Sequence, residues 1–200
     1  MLFAAVPVKA LEAAKSRLQP TLSVSERAEL AADMLAGVLH ALAGSGIVAA
    51  TAVVSPDPTA LAIAERTGAT GLRQTDGGLN TALDQARTWA IAGGADTLLV
   101  LLGDLPLLRP ADIQAMAEMA ADPIRGEPVV VLAPDRHGHG TNALLLRPPG
   151  TLAFGFGEDS YDRHFWAAAA GGAEIMVYRS TGTAFDLDTA EDLAALAALS

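Results

Sequence analysis

The run Leu98-Leu99-Val100-Leu101-Leu102 stops at Gly103-Asp104-Leu105-Pro106-Leu107-Leu108, and this stretch restricts the fold more than any other. An apolar run of strand length without alternation predicts a strand covered on both faces, as in a parallel sheet between helical layers. A charge directly after it lies at a strand's carboxyl end, where open α/β sheets take ligands. A lone buried carboxylate there would be costly, and a bound divalent cation would remove the cost. A turn or capping role for Asp104 before Pro106 is the competing reading. A second acidic segment, Phe185-Asp186-Leu187-Asp188-Thr189-Ala190-Glu191-Asp192-Leu193, favours the ligand role. Asp186 and Asp188 close another short apolar stretch, and Thr189 with Asp192 forms a helix-capping pattern. Two carboxylate-bearing strand ends on one sheet are what a magnesium-nucleotide site requires.

The remaining chain supplies the partners of that strand. Leu2 to Val8 predicts a first strand, followed by an ordered loop over residues 10 to 22. Ser23 and Glu26 form a capping box before a helix with Leu30, Met34, Val38 and Leu42 at helical spacing, closed by Gly44 and Gly46. Ile47 to Val54 predicts a strand, Thr59 to Arg66 a short helix, and Ala69 to Arg73 a weak strand. A loop from Gln74 to Asn80 leads into a helix through Trp89. Beyond the Asp104 strand come a helix from Pro110, a strand from Pro128 to Ala133, a loop from Pro134 to Gly140 and a strand from Asn142 to Leu146. A helix over Ser160 to Ala170, a strand over Glu174 to Tyr178 and an Ala-Leu helix complete the chain. The βαβαβ alternation predicts a single α/β domain over residues 1–200, with a mostly parallel, doubly wound sheet.

Composition excludes several functions. The formal net charge is −10, from 13 Lys and Arg against 23 Asp and Glu. That acidity argues against binding nucleic acid or an anionic membrane. There is no cysteine, which rules out disulfides, thiolate catalysis and Cys-ligated metals. Lys9 interrupts the first apolar stretch, so no signal-peptide pattern opens the sequence, and no run reaches the length of a membrane span. The expectation is a soluble cytoplasmic protein.

Against this acidic background, Lys9, Lys15 and Arg17 crowd together near the N-terminus, with Ser16 between the last two. Neither G-x-x-x-x-G-K-S/T nor G-x-G-x-x-G is present, so backbone amides of those loops do not cradle phosphate here. Lysine and arginine side chains can do so instead, as a point charge and a planar fork; a solvated basic loop is the alternative. Gly77-Gly78-Leu79-Asn80 permits close backbone approach to a flat ligand, or is a turn with an N-cap. Asp135-Arg136-His137-Gly138-His139-Gly140 reads as a Gly-rich ligand loop rather than a transition-metal pair, since no third ligand follows. His164 reads as structural. No nucleophile elbow is present.

Taken in order, Val6-Pro7-Val8-Lys9, Lys15-Ser16-Arg17-Leu18, Val54-Ser55-Pro56-Asp57, Gly78-Leu79-Asn80, Gly103-Asp104-Leu105-Pro106-Leu107-Leu108, Gly140-Thr141-Asn142-Ala143-Leu144 and Asp186-Leu187-Asp188-Thr189 resemble the 2-phospho-L-lactate guanylyltransferase family of coenzyme F(420) biosynthesis. The resemblance covers nearly the whole chain. It implies a nucleotidyltransferase fold, similar to nucleotide-diphospho-sugar transferases, and a Mg²⁺-dependent transfer of GMP from GTP. The acceptor would be a small phosphorylated three-carbon acid: 2-phospho-L-lactate, phosphoenolpyruvate or 3-phospho-D-glycerate. Pyrophosphate would be released, and a homodimer is admitted without being fixed.

By that resemblance Asp104, Asp188 and Asp186 would ligate metal, and Asp104, Lys15 and Arg17 would carry catalysis. Lys9, Lys15, Ser16 and Arg17 would meet the nucleotide phosphates. Ser55 and Asp57, with the loop of Gly78 and Asn80, would complete the nucleotide site. Thr141, Gly157 and Ser160 would hold the acceptor. The chain departs from many bacterial members in reading Gly157-Glu158-Asp159-Ser160 where they read Gly-Pro-Gly-Ser. The implied step is in-line attack by an anionic phosphate oxygen on the α-phosphorus of GTP, which requires no strong base and rests on positioning and charge neutralisation. Rival readings are a molybdopterin or sugar-phosphate nucleotidyltransferase and a non-catalytic nucleotide-binding protein.

Overall fold

The computed structural model describes residues 1–74, 77–121 and 126–199, so Thr75 and Asp76 of the loop before Asn80 lie outside the described residues. Seven strands form one sheet: β1 (Leu2–Pro7), β2 (Val48–Ser55), β3 (Thr70–Arg73), β4 (Thr97–Leu101), β5 (Val129–Pro134), β6 (Thr141–Arg147) and β7 (Glu174–Val177). Their order is β3-β2-β1-β4-β6-β5-β7. All are parallel to their neighbours except β6, which runs against β4 and β5. Chain order reverses between β1 and β4, and ligands of such sheets bind outside the strand ends at that point.

The apolar patterns become two packed faces. All five residues of β4 are buried. Leu99 and Leu101 join a core with Leu35, Val38 and Leu42 of α1 (Val24–Gly44), Ala60 and Ile63 of α2 (Pro58–Arg66), and Ile113 and Met116 of α4 (Pro110–Met119). Leu98 and Val100 face the other way, onto Leu83, Ala86 and Ala90 of α3 (Leu79–Ala92) and Ala168 of α5 (Ser160–Ala170). Complete burial of one such side chain stabilises by about 1.5–3 kcal/mol, which holds β4 in register under the Asp104 turn. Ser23 and Glu26 make the expected capping box at α1, and Gly46, at φ +69°, follows the end of that helix.

A smaller core matters more for the site. Leu18 and Leu187 are each fully buried and share a cluster with Met34 and Phe185. Burying Leu18 fixes the 10–22 loop, which forms two short 3₁₀ turns, Leu11–Ala13 and Ser16–Leu18. Burying Leu187 fixes the C-terminal acidic segment against that loop.

One feature differs from the sequence expectations. Residues 185–188 form no strand; they are an extended connection between α6 (Thr181–Ala184) and α7 (Ala190–Leu199). The few residues between those helices leave no length for a ladder, and a single backbone bond, Leu187 N–H to Asp104 O at 3.3 Å, ties them to the β4 turn. The sheet is mostly parallel, as expected, and β6 is its one reversed strand. Only a tight turn over 135–140 joins it to β5, and parallel pairing would need a crossover of a dozen or more residues. Thr141, the first residue of β6, therefore stands opposite Pro134, at the edge that carries the carboxyl ends of β1, β2, β4 and β5.

Candidate active site

A cleft of about 810 Å³ opens along that edge. Lys9, Lys15, Ser16 and Arg17 line it from the loop after β1, Asp104 from the turn after β4, Gly77 and Gly78 from the loop before α3, and Asp188 from the C-terminal connection. Residues 173 positions apart in sequence meet here because Leu18 and Leu187 are buried together.

The centre of the site is Lys15. Its ammonium donates to Asp104 Oδ2 at 2.5 Å and to Asp188 Oδ1 at 2.8 Å. Lys15 sits between the two 3₁₀ turns at φ 54°, ψ 39°, a left-handed conformation uncommon outside glycine. That backbone sends a side chain only 5% exposed down between the carboxylates. Burial works against its charge, but attraction and hydrogen bonds from Asp104 and Asp188 outweigh it and raise the Lys15 pKa above its ordinary value. Lys15 is therefore an ammonium throughout the neutral range. Arg17, largely exposed, lies 3.8 Å from Asp188 Oδ2.

Asp104 Oδ1 is buried and has no hydrogen-bond partner, an arrangement that a cation would relieve. Among the described residues no group of three or more His, Asp or Glu side chains is close enough to enclose an ion. Two carboxylates completed by substrate phosphates suffice for Mg²⁺, which keeps several waters and seldom uses an all-protein cage. The donor set of Asp104 and Asp188 fits it. Asp186 is half-buried, does not line the cleft, and takes a 3.4 Å hydrogen bond from Asn142 Nδ2. Burial, aided by the charges of Asp104 and Asp188, pushes its carboxyl pKa up.

Other residues singled out in the sequence are engaged within the protein. Ser55 is fully buried and its Oγ accepts from Asp57 N–H at 3.0 Å. Both Asp57 oxygens accept backbone N–H groups, from Thr59 and from Leu11, each at 2.8 Å. Asp57 thus caps α2 and anchors the basic loop to the end of β2; it lies outside the cleft lining. Asn80 is inside the first turn of α3, whose N-cap is Gly78, and its amide is bonded to Phe156.

Thr141, Gly157 and Ser160 do come together. Ser160 Oγ accepts from Thr141 N–H at 2.9 Å, and Ser160 N–H donates to Gly157 O at 3.2 Å. Thr141 and Ser160 are buried, so their hydroxyls face inward, while Gly157, Glu158 and Asp159 are exposed. His164 binds the group together. Its Nε2 accepts from Gly155 N–H at 3.0 Å, which places the proton on Nδ1, 3.0 Å from Thr141 Oγ1. Burial, with help from the Arg163 charge, holds its pKa down at about 4.

One supporting pair has no signal in the sequence. Asp192 is buried; one oxygen caps the backbone N–H groups of Asp188 and Thr189 at 2.8 Å, and the other takes a 2.5 Å bond from Arg136. Asp192 thereby orients the peptide that carries Asp188. The capping pattern with Thr189 was visible in sequence, but nothing there tied it to Arg136. In the 135–140 turn, Asp135 Oδ1 accepts from His137 and His139 N–H, so the carboxylate shapes the loop and leaves both imidazoles exposed.

An ammonium seated between two carboxylates lines the cleft at the point where chain order reverses between β1 and β4, and the surrounding sheet is that of a nucleotidyltransferase. The CMP:2-keto-3-deoxy-manno-octonic acid synthetase complexed with CTP superposes with a TM-score of 0.67 at 15% identity, over 99% of this chain and 97% of the other. A nucleotidyl transferase from Methanothermobacter thermautotrophicus gives 0.63 at 17% identity, over 98% and 95%. The chain belongs to the family described as Guanylyl transferase CofC like, whose sequence model matches residues 2–198. It is 48% identical to the phosphoenolpyruvate guanylyltransferase of Rubrobacter xylanophilus, over 98% of this chain and 93% of that one. It is 37% identical to the 2-phospho-L-lactate guanylyltransferase of Methanothermobacter thermautotrophicus, over 95% and 81%. Among the described residues no helix is long and apolar enough to cross a membrane.

Proposed function

We propose that this protein, acting as one domain over residues 1–200, transfers GMP from GTP to a small phosphorylated three-carbon acid and releases pyrophosphate, a step of coenzyme F(420) biosynthesis. The observation that carries the reading is the Lys15 ammonium between Asp104 and Asp188 at the cleft centre. Relatives 48% and 46% identical bear the name phosphoenolpyruvate guanylyltransferase, which ranks phosphoenolpyruvate first among the three acids.

Lys9, Lys15 and Arg17 neutralise the triphosphate, and Gly78 lets the nucleoside approach the backbone before α3. Asp104 and Asp188 hold Mg²⁺, which would supply Lewis-acid stabilisation of charge on the phosphate oxygens when bound. Asp186 completes the acidic surroundings of that pair. The acceptor reaches the exposed turn at Gly157, with Thr141 and Ser160 fixing the backbone beneath it. Its phosphate oxygen is already an anion, so the protein's part is alignment in line with the α-phosphorus and exclusion of water.

A matrix of four nucleoside triphosphates against the three acids, read as pyrophosphate release, tests the reading. Release with GTP and phosphoenolpyruvate is expected. No release from GTP with any of the acids, with Mg²⁺ present, overturns it.

A further inference from the structure

The segment from Leu152 to Phe156 has neither helix nor strand, yet three side chains grip its backbone. Asn80 Oδ1 accepts from Phe156 N–H at 2.9 Å, and Asn80 Nδ2 donates to Phe156 O at 3.2 Å. This two-bond pairing gives one peptide what a neighbouring strand would give it. Two turns further along α3, Arg87 donates to Leu152 O at 2.9 Å and lays its guanidinium 3.9 Å from the Phe154 ring centroid. From α5, His164 accepts from Gly155 N–H and packs against the Phe156 ring. The position of this segment is therefore set by α3 and α5, not by its own hydrogen bonds.

That attachment has a direction. The start of α3 is part of the nucleotide side: Gly77, Gly78, Leu79 and Ala82 line the cleft. The other end of the gripped segment runs into Gly157 and Ser160, on the acceptor side. Asn80 bonds one loop to the other, and its amide does so with both of its functions.

We propose that Asn80 is a positioning residue that clasps the acceptor loop to the nucleotide loop, so that nucleotide and acid bind with positive coupling; this rests on the function proposed above. A nucleotide that orders residues 77–80 also orders 154–157, and the acid then meets a loop already in place. Coupling of this kind is reciprocal between the two ligands and typically amounts to roughly 5–150-fold in affinity.

The test is calorimetry on the full chain with phosphoenolpyruvate, with and without saturating Mg²⁺ and the unreactive analogue α,β-methylene-GTP. In the wild type the analogue should tighten acid binding by about tenfold. In Asn80→Ala that gain should shrink to below about twofold, while affinity for the analogue alone stays within about threefold. Steady-state kinetics should show the acid KM rising with little loss of kcat at saturation. The near-isosteric Asn80→Asp keeps the acceptor for Phe156 N–H but sets an oxygen against Phe156 O; it should lose the coupling too, and it reports should the alanine variant fold poorly. Equal coupling in wild type and variants, or no coupling in the wild type, overturns the proposal. A loss mainly in analogue affinity also overturns it, by making Asn80 a nucleotide contact. Failure of the underlying function looks different: the wild type would then release no pyrophosphate from GTP with any of the acids.

Discussion

Lys15 Nζ stands 2.5 Å from Asp104 Oδ2 and extends its second hydrogen bond to Asp188, so the ammonium holds the ground a metal ion would share. Without it two carboxylates would face each other with only the exposed Arg17, 3.8 Å from Asp188, to offset them. Lys15→Ala should lower turnover by about 100- to 1000-fold, the usual loss for removing a charge-stabilising group from such a centre. It should also bind Mn²⁺ more tightly than the wild type in the absence of nucleotide. Steady-state kinetics and Mn²⁺ titration by electron paramagnetic resonance check both; an unchanged Mn²⁺ affinity would show that the ammonium does not compete.

Asp104→Asn and Asp188→Asn should each reduce turnover severely while circular dichroism stays that of the wild type. A metal ligand accounts for several kcal/mol of transition-state stabilisation. The defect should deepen at limiting Mg²⁺. Near-wild-type turnover of both variants under that condition would remove the two carboxylates from the metal site.

His164 gives the fold an acid sensitivity with a calculable sign. Its pKa is about 4 in the folded protein and about 6.5 when unfolded. Between these values the unfolded chain binds the extra proton, so stability is complete above about pH 6.5 and declines as the pH falls towards 4. At about 1.4 kcal/mol per unit the full loss is about 3 kcal/mol. Urea denaturation of His164→Gln should show a smaller stability difference between pH 7 and pH 4.5 than the wild type. Parallel pH profiles in the two proteins would show that His164 is not the titrating group.

Asp192→Asn retains the shape of the cap but removes the charge facing Arg136. Charge-assisted bonds of this kind contribute roughly 1.5–3 kcal/mol, so the variant should be less stable by about 1–3 kcal/mol. Because Asp192 orients the backbone of Asp188, Mn²⁺ affinity should fall together with stability. A lower melting temperature with wild-type Mn²⁺ affinity would confine Asp192 to capping α7.

Much of this was legible in the sequence because the signals were local. Asp104 announced itself by ending an apolar run, and Lys15 by its basic neighbours in an acidic chain. Other roles were fixed only by tertiary contacts. Asn80 pairs with the backbone of Phe156, and a peptide group leaves no mark in a residue pattern. Ser55 and Asp57 sit at a strand end like Asp104, yet their polar atoms turn to nearby backbone and to Leu11. The resemblance groups Thr141 with Ser160, but the inward direction of their hydroxyls follows from bonds to His164 and to the Thr141 backbone. Arg136 and Asp192 meet across 56 positions, a separation at which sequence spacing carries no information.

The reversed run of β6 has a consequence for how such a protein can change. Because that strand begins where its neighbours finish, the turn before it and the loop leading into α5 both project from the ligand edge, while the opposite edge carries the return through Arg147. Length and composition can drift in either rim segment without disturbing the register Leu98–Leu146 beneath. The two rim segments can thus vary while the loop that carries Lys15 stays anchored by Leu18 and Leu187.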